Sequence, residues 1–243
     1  MGQHGKHRPL VRSAALALGL MLAPLGALAQ DCRLALVLAL DVSSSVDDAE
    51  YVLQRDGIAA ALQAEEVQGA ILGNPGAVAL AIYEWSGRRQ SVLIQDWVVL
   101  RSAEDIAGVS QRLRGVQRSY RRYPTALGYA LGFGATLMRD APACERQVID
   151  VSGDGITNDG FWPQLAYRHF PFEEIVVNGL AVLGADPDVY DHFEMEVLRG
   201  PGAFLEVAPG YEGFREAMTR KLYREIQDRI VGEVRRAPVH GPG

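Results

Sequence analysis

Residues 34–40 read Leu-Ala-Leu-Val-Leu-Ala-Leu, an unbroken apolar run that stops at Asp41 and gives way to Val42-Ser43-Ser44-Ser45. An acidic, amphipathic stretch beginning Val46-Asp47-Asp48-Ala49-Glu50 follows at once. Length and period predict a buried strand, a tight polar loop and a helix over 47–66. Downstream, the pattern predicts a turn over 69–76, a strand over 77–84 and a second strand over 90–99. The short break Gly87-Arg88-Arg89 between those strands pairs them as a hairpin at the sheet edge. Ser102-Ala103-Glu104-Asp105 reads as a helix cap, with Ile106, Val109 and Leu113 on one helical face. A basic, aromatic loop over 115–124 leads to an Ala/Gly/Leu-rich helix over 125–138, whose small residues permit close packing on a sheet. Strands at 148–152, 174–183 and 203–207 alternate with helical segments at 161–169 and 187–198. Phe214, Met218, Leu222, Ile226 and Ile230 then recur on a terminal helix. Strands alternating with helices predict an α/β fold: three layers, doubly wound, Rossmann-like, mostly parallel with one antiparallel edge strand.

The first 29 residues have a different character. Lys6, Arg8 and Arg12 form a basic start, residues 13–23 are apolar, and Ala27-Leu28-Ala29 is a small-residue cleavage signature. This predicts a signal peptide over 1–29, one domain over 31–232 and a flexible tail over 233–243 that ends Gly-Pro-Gly. The expected mature protein is secreted or periplasmic and does not span the membrane once processed. Losing the leader moves the formal charge from -6 to -9. An acidic surface is a poor match to nucleic acid, where phosphate neutralisation dominates affinity. Cys32 and Cys144 each stand just before an apolar strand, at the same sheet edge if those strands are parallel neighbours. An exported protein then favours a disulfide between them, the alternative being two separate thiols.

Candidate chemistry gathers at the opposite edge. Asp41, Ser43 and Ser45 offer a carboxylate and two hydroxyls at alternate positions, Thr125 opens the helix before the strand at 148, and Asp154 closes that strand. If strand 34–40 and strand 148–152 are neighbours, the crevice between their carboxyl ends is the switch point where ligands bind in such sheets. Two carboxylates and neutral hydroxyls suit a hard divalent cation, Mg2+ first, with Mn2+ or Ca2+ possible. Taken singly, each residue has a plainer role: Ser45 and Thr125 as helix caps, Asp41 and Asp154 as turn residues. Asp150 is the rival carboxylate, but it falls inside its strand and needs a structural partner there.

The stretches DVSSS, YPTALGYAL and VIDVSGDG resemble the three loops of the metal-ion-dependent adhesion site (MIDAS) of von Willebrand factor type A (vWA) domains. Within that family the chain is most similar to exported bacterial single-domain members of unknown function, of the DUF1194 type. The resemblance implies metal ligands at Asp41, Ser43, Ser45, Thr125 and Asp154, and a partner protein that presents an acidic residue to the ion. Pro124 stands where the family usually has glycine, and Gly153 where it usually has threonine. Arg118, Arg121 and Arg122 are expected to rim the metal face and clamp an acidic partner. Trp85, Trp162, Phe170 and Phe172 read as packing residues.

No GxSxG elbow, P-loop or HExxH pair is present. A metal-dependent phosphohydrolase with Asp41 as nucleophile is the enzymatic alternative, but Ser43 stands where that chemistry needs a second aspartate. A scaffold with a purely structural metal is the third reading. The sequence favours a non-enzymatic, metal-dependent, adhesion-type binding module.

Overall fold

Both faces of the first apolar run are buried, and its alternation of large and small residues decides what each face meets. The computed structural model describes residues 1–2 and 32–227. The predicted leader, its first two residues apart, and the predicted tail lie outside the described residues. Strand β1 (Cys32–Asp41) is buried at every position. Leu34, Leu36, Leu38 and Leu40 join one hydrophobic cluster, whereas Ala35, Val37 and Ala39 join another on the opposite face.

The leucine face is covered by α1 (Asp48–Gln63), α2 (Glu65–Leu72), α3 (Ala103–Gly115) and α7 (Phe214–Gln227). The alanine face carries α4 (Leu127–Leu137), α5 (Pro163–His169) and α6 (Val189–His192), the last continued by a π-helical turn, Phe193–Val197. Small residues on β1 let α4 approach closely. On α4, Gly134 faces the sheet, where a Cβ would stand 2.9 Å from the Tyr83 hydroxyl, and Gly128 faces the chain ahead of α5, where a Cβ would stand 2.1 Å from the Phe161 carbonyl oxygen.

The remaining strands are β2 (Ala77–Trp85), β3 (Ser91–Leu100), β4 (Arg146–Gly153), β5 (Ile175–Val182) and β6 (Leu205–Ala208). The order is β3-β2-β1-β4-β5-β6, parallel throughout except for the β2/β3 hairpin at the edge. The chain leaves β1 towards β2 and later returns to β4 on the other side of β1. That reversal opens a crevice between the carboxyl ends of β1 and β4. Their register pairs Leu40 with Ser152. Cys32 and Cys144 are disulfide-bonded at the other edge of the sheet.

Two local expectations change. The helix expected over 47–66 breaks at Ala64, which is extended (φ -62°, ψ 138°), and a separate α2 follows. The turn expected from Gly69 is therefore confined to residues 73–76. Val67, Ala70 and Ile71, at helical spacing, bury themselves as a unit, and that packing overrides the turn tendency of Gly69. No helix among the described residues is long and apolar enough to cross a membrane.

Candidate functional site

Three connections meet above the crevice, and hydrogen bonds tie them together. In the first, after β1, the Asp41 carboxylate folds back to accept from the Ser43 backbone N–H at 2.7 Å. The Ser43 and Ser45 hydroxyls lie 3.0 Å apart, and Ser45 Oγ donates to Asp154 Oδ1 at 2.6 Å. Ser45 is thus not the cap of α1. That role belongs to Asp47, which accepts from Ala49 and Glu50 N–H while Glu50 accepts from Asp47 N–H.

In the second connection, Thr125 precedes the Ala126 cap of α4, which has no side-chain capping bond, so Thr125 is not a cap either. Its backbone is stitched to the third loop. Thr125 N–H donates to Asn158 Oδ1 at 2.9 Å, and Asn158 N–H to the Thr125 carbonyl at 3.0 Å. A Cβ on Gly155 would lie 4.0 Å from Thr125 Oγ1. The first loop is joined to the second through Ser44 N–H and the Tyr123 carbonyl, 2.8 Å. Gln54, buried on α1, holds the two strand ends together: it donates to the Asp41 carbonyl and accepts from Ser152 Oγ.

Gly153 follows from the same crowding. A Cβ there would sit 3.1 Å from Asp41 Oδ2 and 3.3 Å from the Phe193 ring, so a larger residue would press on both. The π-helical turn that carries Phe193 sets this limit.

Asp41 is 0% exposed and Asp154 1%, and one oxygen of each, Oδ2, has no hydrogen-bond partner among the described residues. Burial, then the neighbouring Asp154, pushes the Asp41 carboxyl up to about 8; burial raises Asp154 too. Two buried carboxylates so close together retain a proton that the unfolded chain releases above pH ~4. Stability therefore falls as pH rises through that window. In chelator, thermal unfolding is expected to show a Tm lower at pH 8 than at pH 5 by about 5 °C, from ~2 kcal/mol. Asp41→Asn should retain only the part due to the other buried acids, Asp154, Asp150 and Glu225, the last pushed to about 7 by burial and Asp150.

The sequence of residues 31–230 matches the family model "Protein of unknown function (DUF1194)". The chain belongs to this family. No curated protein matches it. Among solved structures it is similar to a von Willebrand factor type A protein from Catenulispora acidiphila, at 12% identity and TM-score 0.58, covering 80% of this chain and 43% of that one. Proximal thread matrix protein 1 from the mussel byssus, with a zinc-occupied MIDAS motif, matches at 14% identity and TM-score 0.57, with 80% and 46% covered. The open pilus adhesin SpaC from Lactobacillus rhamnosus GG matches at 14% and 0.58, with 81% and 30% covered. The chain spans less than half the length of each. Likeness at this identity speaks for the fold, which is of the vWA type.

Among the described residues of this DUF1194 chain, no three His, Cys, Asp or Glu side chains cluster as a metal site would need if built from those types alone. The donor set at the crevice is instead two carboxylates with the hydroxyls of Ser43, Ser45 and Thr125. Oδ2 of Asp41 and Oδ2 of Asp154 belong to it, whereas the other buried carboxylate without a hydrogen bond, Asp150, is ion-paired with Lys221; such a donor set fits a hard cation.

The basic loop divides in two. Arg118 does not reach the rim expected of it: its side chain is 3% exposed, and Nη2 donates to the carbonyls of Val42 and Ser43. A guanidinium so placed satisfies orphan carbonyls of the first loop, and that need drew it inward. Glu84 anchors the same loop by accepting from Ser119 N–H and Tyr51 Oη. Arg121 is exposed and pairs with Asp48 at 3.0 Å; Arg122 and Tyr123 are exposed. Trp85 and Phe172 are buried and Phe170 is partly buried against the core, but Trp162 is 47% exposed, edge-on to His192. His192 braces the third loop by accepting from Thr157 N–H at 3.2 Å. Neither His192 nor Gln54 stands in a recognisable motif; each reaches the site from a helix through tertiary packing.

Proposed function

We propose that this chain is an exported, non-enzymatic binding module that holds a divalent cation, Mg2+ in the first place, with Asp41, Ser43, Ser45, Thr125 and Asp154. The reading rests on one observation above all: buried Asp41 and Asp154 leave adjacent strands, each with an oxygen that has no hydrogen-bond partner among the described residues. A zinc-occupied MIDAS motif in a protein of the same fold supports it. A cation held there would supply an electrophilic position for a carboxylate presented by a partner protein. The chain's own residues do the rest. Asp41 and Asp154 offset the charge, and the hydroxyls complete the donor set. Arg118 keeps the first loop in place, while Arg121, Arg122 and Tyr123 offer an exposed cationic and aromatic edge to an acidic partner.

Full burial of Asp41 speaks against its serving as nucleophile towards a phosphate ester. The disulfide and the kinds of protein that share the fold support export to a secreted or periplasmic location.

The test is affinity capture from the native envelope, with magnesium or with chelator, and with Asp41→Ala as control. A partner retained by the wild type in magnesium should be lost in both other arms while circular dichroism stays native. Arg121→Ala with Arg122→Ala should weaken that binding about tenfold and reduce its salt dependence. Chelator-induced unfolding with no partner retained would assign the cation a purely structural role.

A further inference from the structure

At the sheet edge opposite the crevice, where the chain enters β5, the surface opens into a cleft of about 470 Å3. Phe172, Ile175 and Val176 give it an apolar wall, the first two buried against the core of the alanine face. Arg199 lines the same cleft, and its backbone is fixed. Arg199 N–H donates to the Val177 carbonyl at 3.1 Å, and its carbonyl accepts from Val177 N–H at 2.9 Å. Gly200, at φ 92°, then carries the chain tightly past β5, where a Cβ would stand 3.3 Å from Val176 Cα. The Arg199 guanidinium carbon lies 4.9 Å from the Tyr167 ring centroid and 6.0 Å from that of Phe172. Two aromatic rings hold the group, and among the described residues its N–H donors have neither a hydrogen bond nor an ion pair. A planar fork of donors fixed in this way suits a carboxylate, which it engages through both oxygens. Glu173 and Glu174 are exposed on the same cleft and have no ion pair among the described residues either.

We propose that this cleft is a second binding site, separate from the cation crevice, for a small zwitterion with an apolar body: an apolar amino acid or dipeptide. Arg199 takes the carboxylate, Glu173 and Glu174 attract the ammonium, and Phe172, Ile175 and Val176 receive the side chain. The volume lies at the lower end of the range of ligand clefts, which suits one or two residues. The two glutamates weigh against phosphate and against acidic amino acids, since like charges brought together are costly.

The experiment is isothermal titration of the full chain with leucine and with leucyl-leucine, each in magnesium and in chelator. At least one should bind saturably, and equally in both buffers; the stronger of the two identifies the source. The amide of that ligand, which lacks the carboxylate, and its N-acetyl derivative, which lacks the ammonium, should each bind about tenfold more weakly. Arg199→Lys keeps the charge but not the planar fork and should also weaken binding about tenfold, with circular dichroism unchanged. Glu173→Gln with Glu174→Gln should abolish the preference over the N-acetyl derivative. No saturable binding of leucine or leucyl-leucine at about 10 mM overturns the proposal. Wild-type binding of the amide or the N-acetyl derivative, or by Arg199→Lys, overturns it as well. Binding that requires magnesium would assign the carboxylate to the cation crevice instead, whereas loss of the cation reading leaves this cleft untouched.

Discussion

Replacing Lys221 by methionine is expected to cost about 3–5 kcal/mol of stability, or about 10 °C in Tm for a domain of this size. Lys221 projects from α7 into the sheet, fully buried, with Nζ 2.5 Å from Asp150 Oδ1 on β4 and 4.3 Å from the Phe204 ring centroid. Glu225, one turn on, accepts from Asn178 Nδ2 on β5 and lies 3.4 Å from Arg146. Two buried acids thus depend on one buried ammonium and one half-buried guanidinium. Burial already raises Asp150 and Glu225 despite those cations. Methionine would fill the space of the lysine stem but leave Asp150 without a counter-charge. The double variant Lys221→Met, Asp150→Leu should recover most of the loss, since an apolar pair needs no compensation. Denaturant unfolding of the two variants checks this, and a loss below about 1 kcal/mol for Lys221→Met would remove the cluster as the anchor of α7.

Breaking the Cys32–Cys144 bridge should have an effect of similar size by a different route. The two residues lie 112 positions apart, and closing so long a loop restricts the unfolded chain by about 4–5 kcal/mol in the chain-entropy account. Cys32 opens β1 and Cys144 stands just before β4, the strands whose far ends carry Asp41 and Asp154. The bridge therefore locks the two site-bearing strands side by side at the edge opposite the crevice, roughly 30 Å away along a ten-residue strand. The Cys32→Ser, Cys144→Ser double variant should unfold far more easily. While folded, it should keep the wild type's cation affinity. Equal stability of the variant and the wild type would contradict the first expectation, and a changed affinity the second.

What the sequence made legible, and what it hid, follows from the range of the interactions involved. The alternation through Leu34 to Leu40 encodes burial on both faces and hence a central strand. Ser102 and Asp105 announce their capping box because all its atoms lie within four residues. The polar break at Gly87-Arg88-Arg89 locates the edge hairpin for the same reason. Asp150 could be read as needing a partner, since a strand interior does not tolerate a lone carboxylate, but nothing nearby in sequence named Lys221. Arg118 looked like a rim residue because composition cannot tell an arginine facing solvent from one drawn onto buried carbonyls. Gln54 and His192 reach the crevice from two different helices, at positions that carry no local signature. Ala64 interrupts its helix because the two flanking segments bury different faces, a tertiary demand that outweighs a good intrinsic helix former.

The most direct test of the central claim is calorimetric titration of the chelator-stripped protein with magnesium, for wild type, Asp41→Ala, Asp154→Ala and Asp150→Asn. One ion per chain is expected for wild type, with binding abolished in Asp41→Ala and Asp154→Ala and retained in Asp150→Asn, provided that variant is folded. Full affinity in Asp154→Ala, or binding that depends on Asp150 instead, would contradict the assignment of the crevice between β1 and β4 as the cation site.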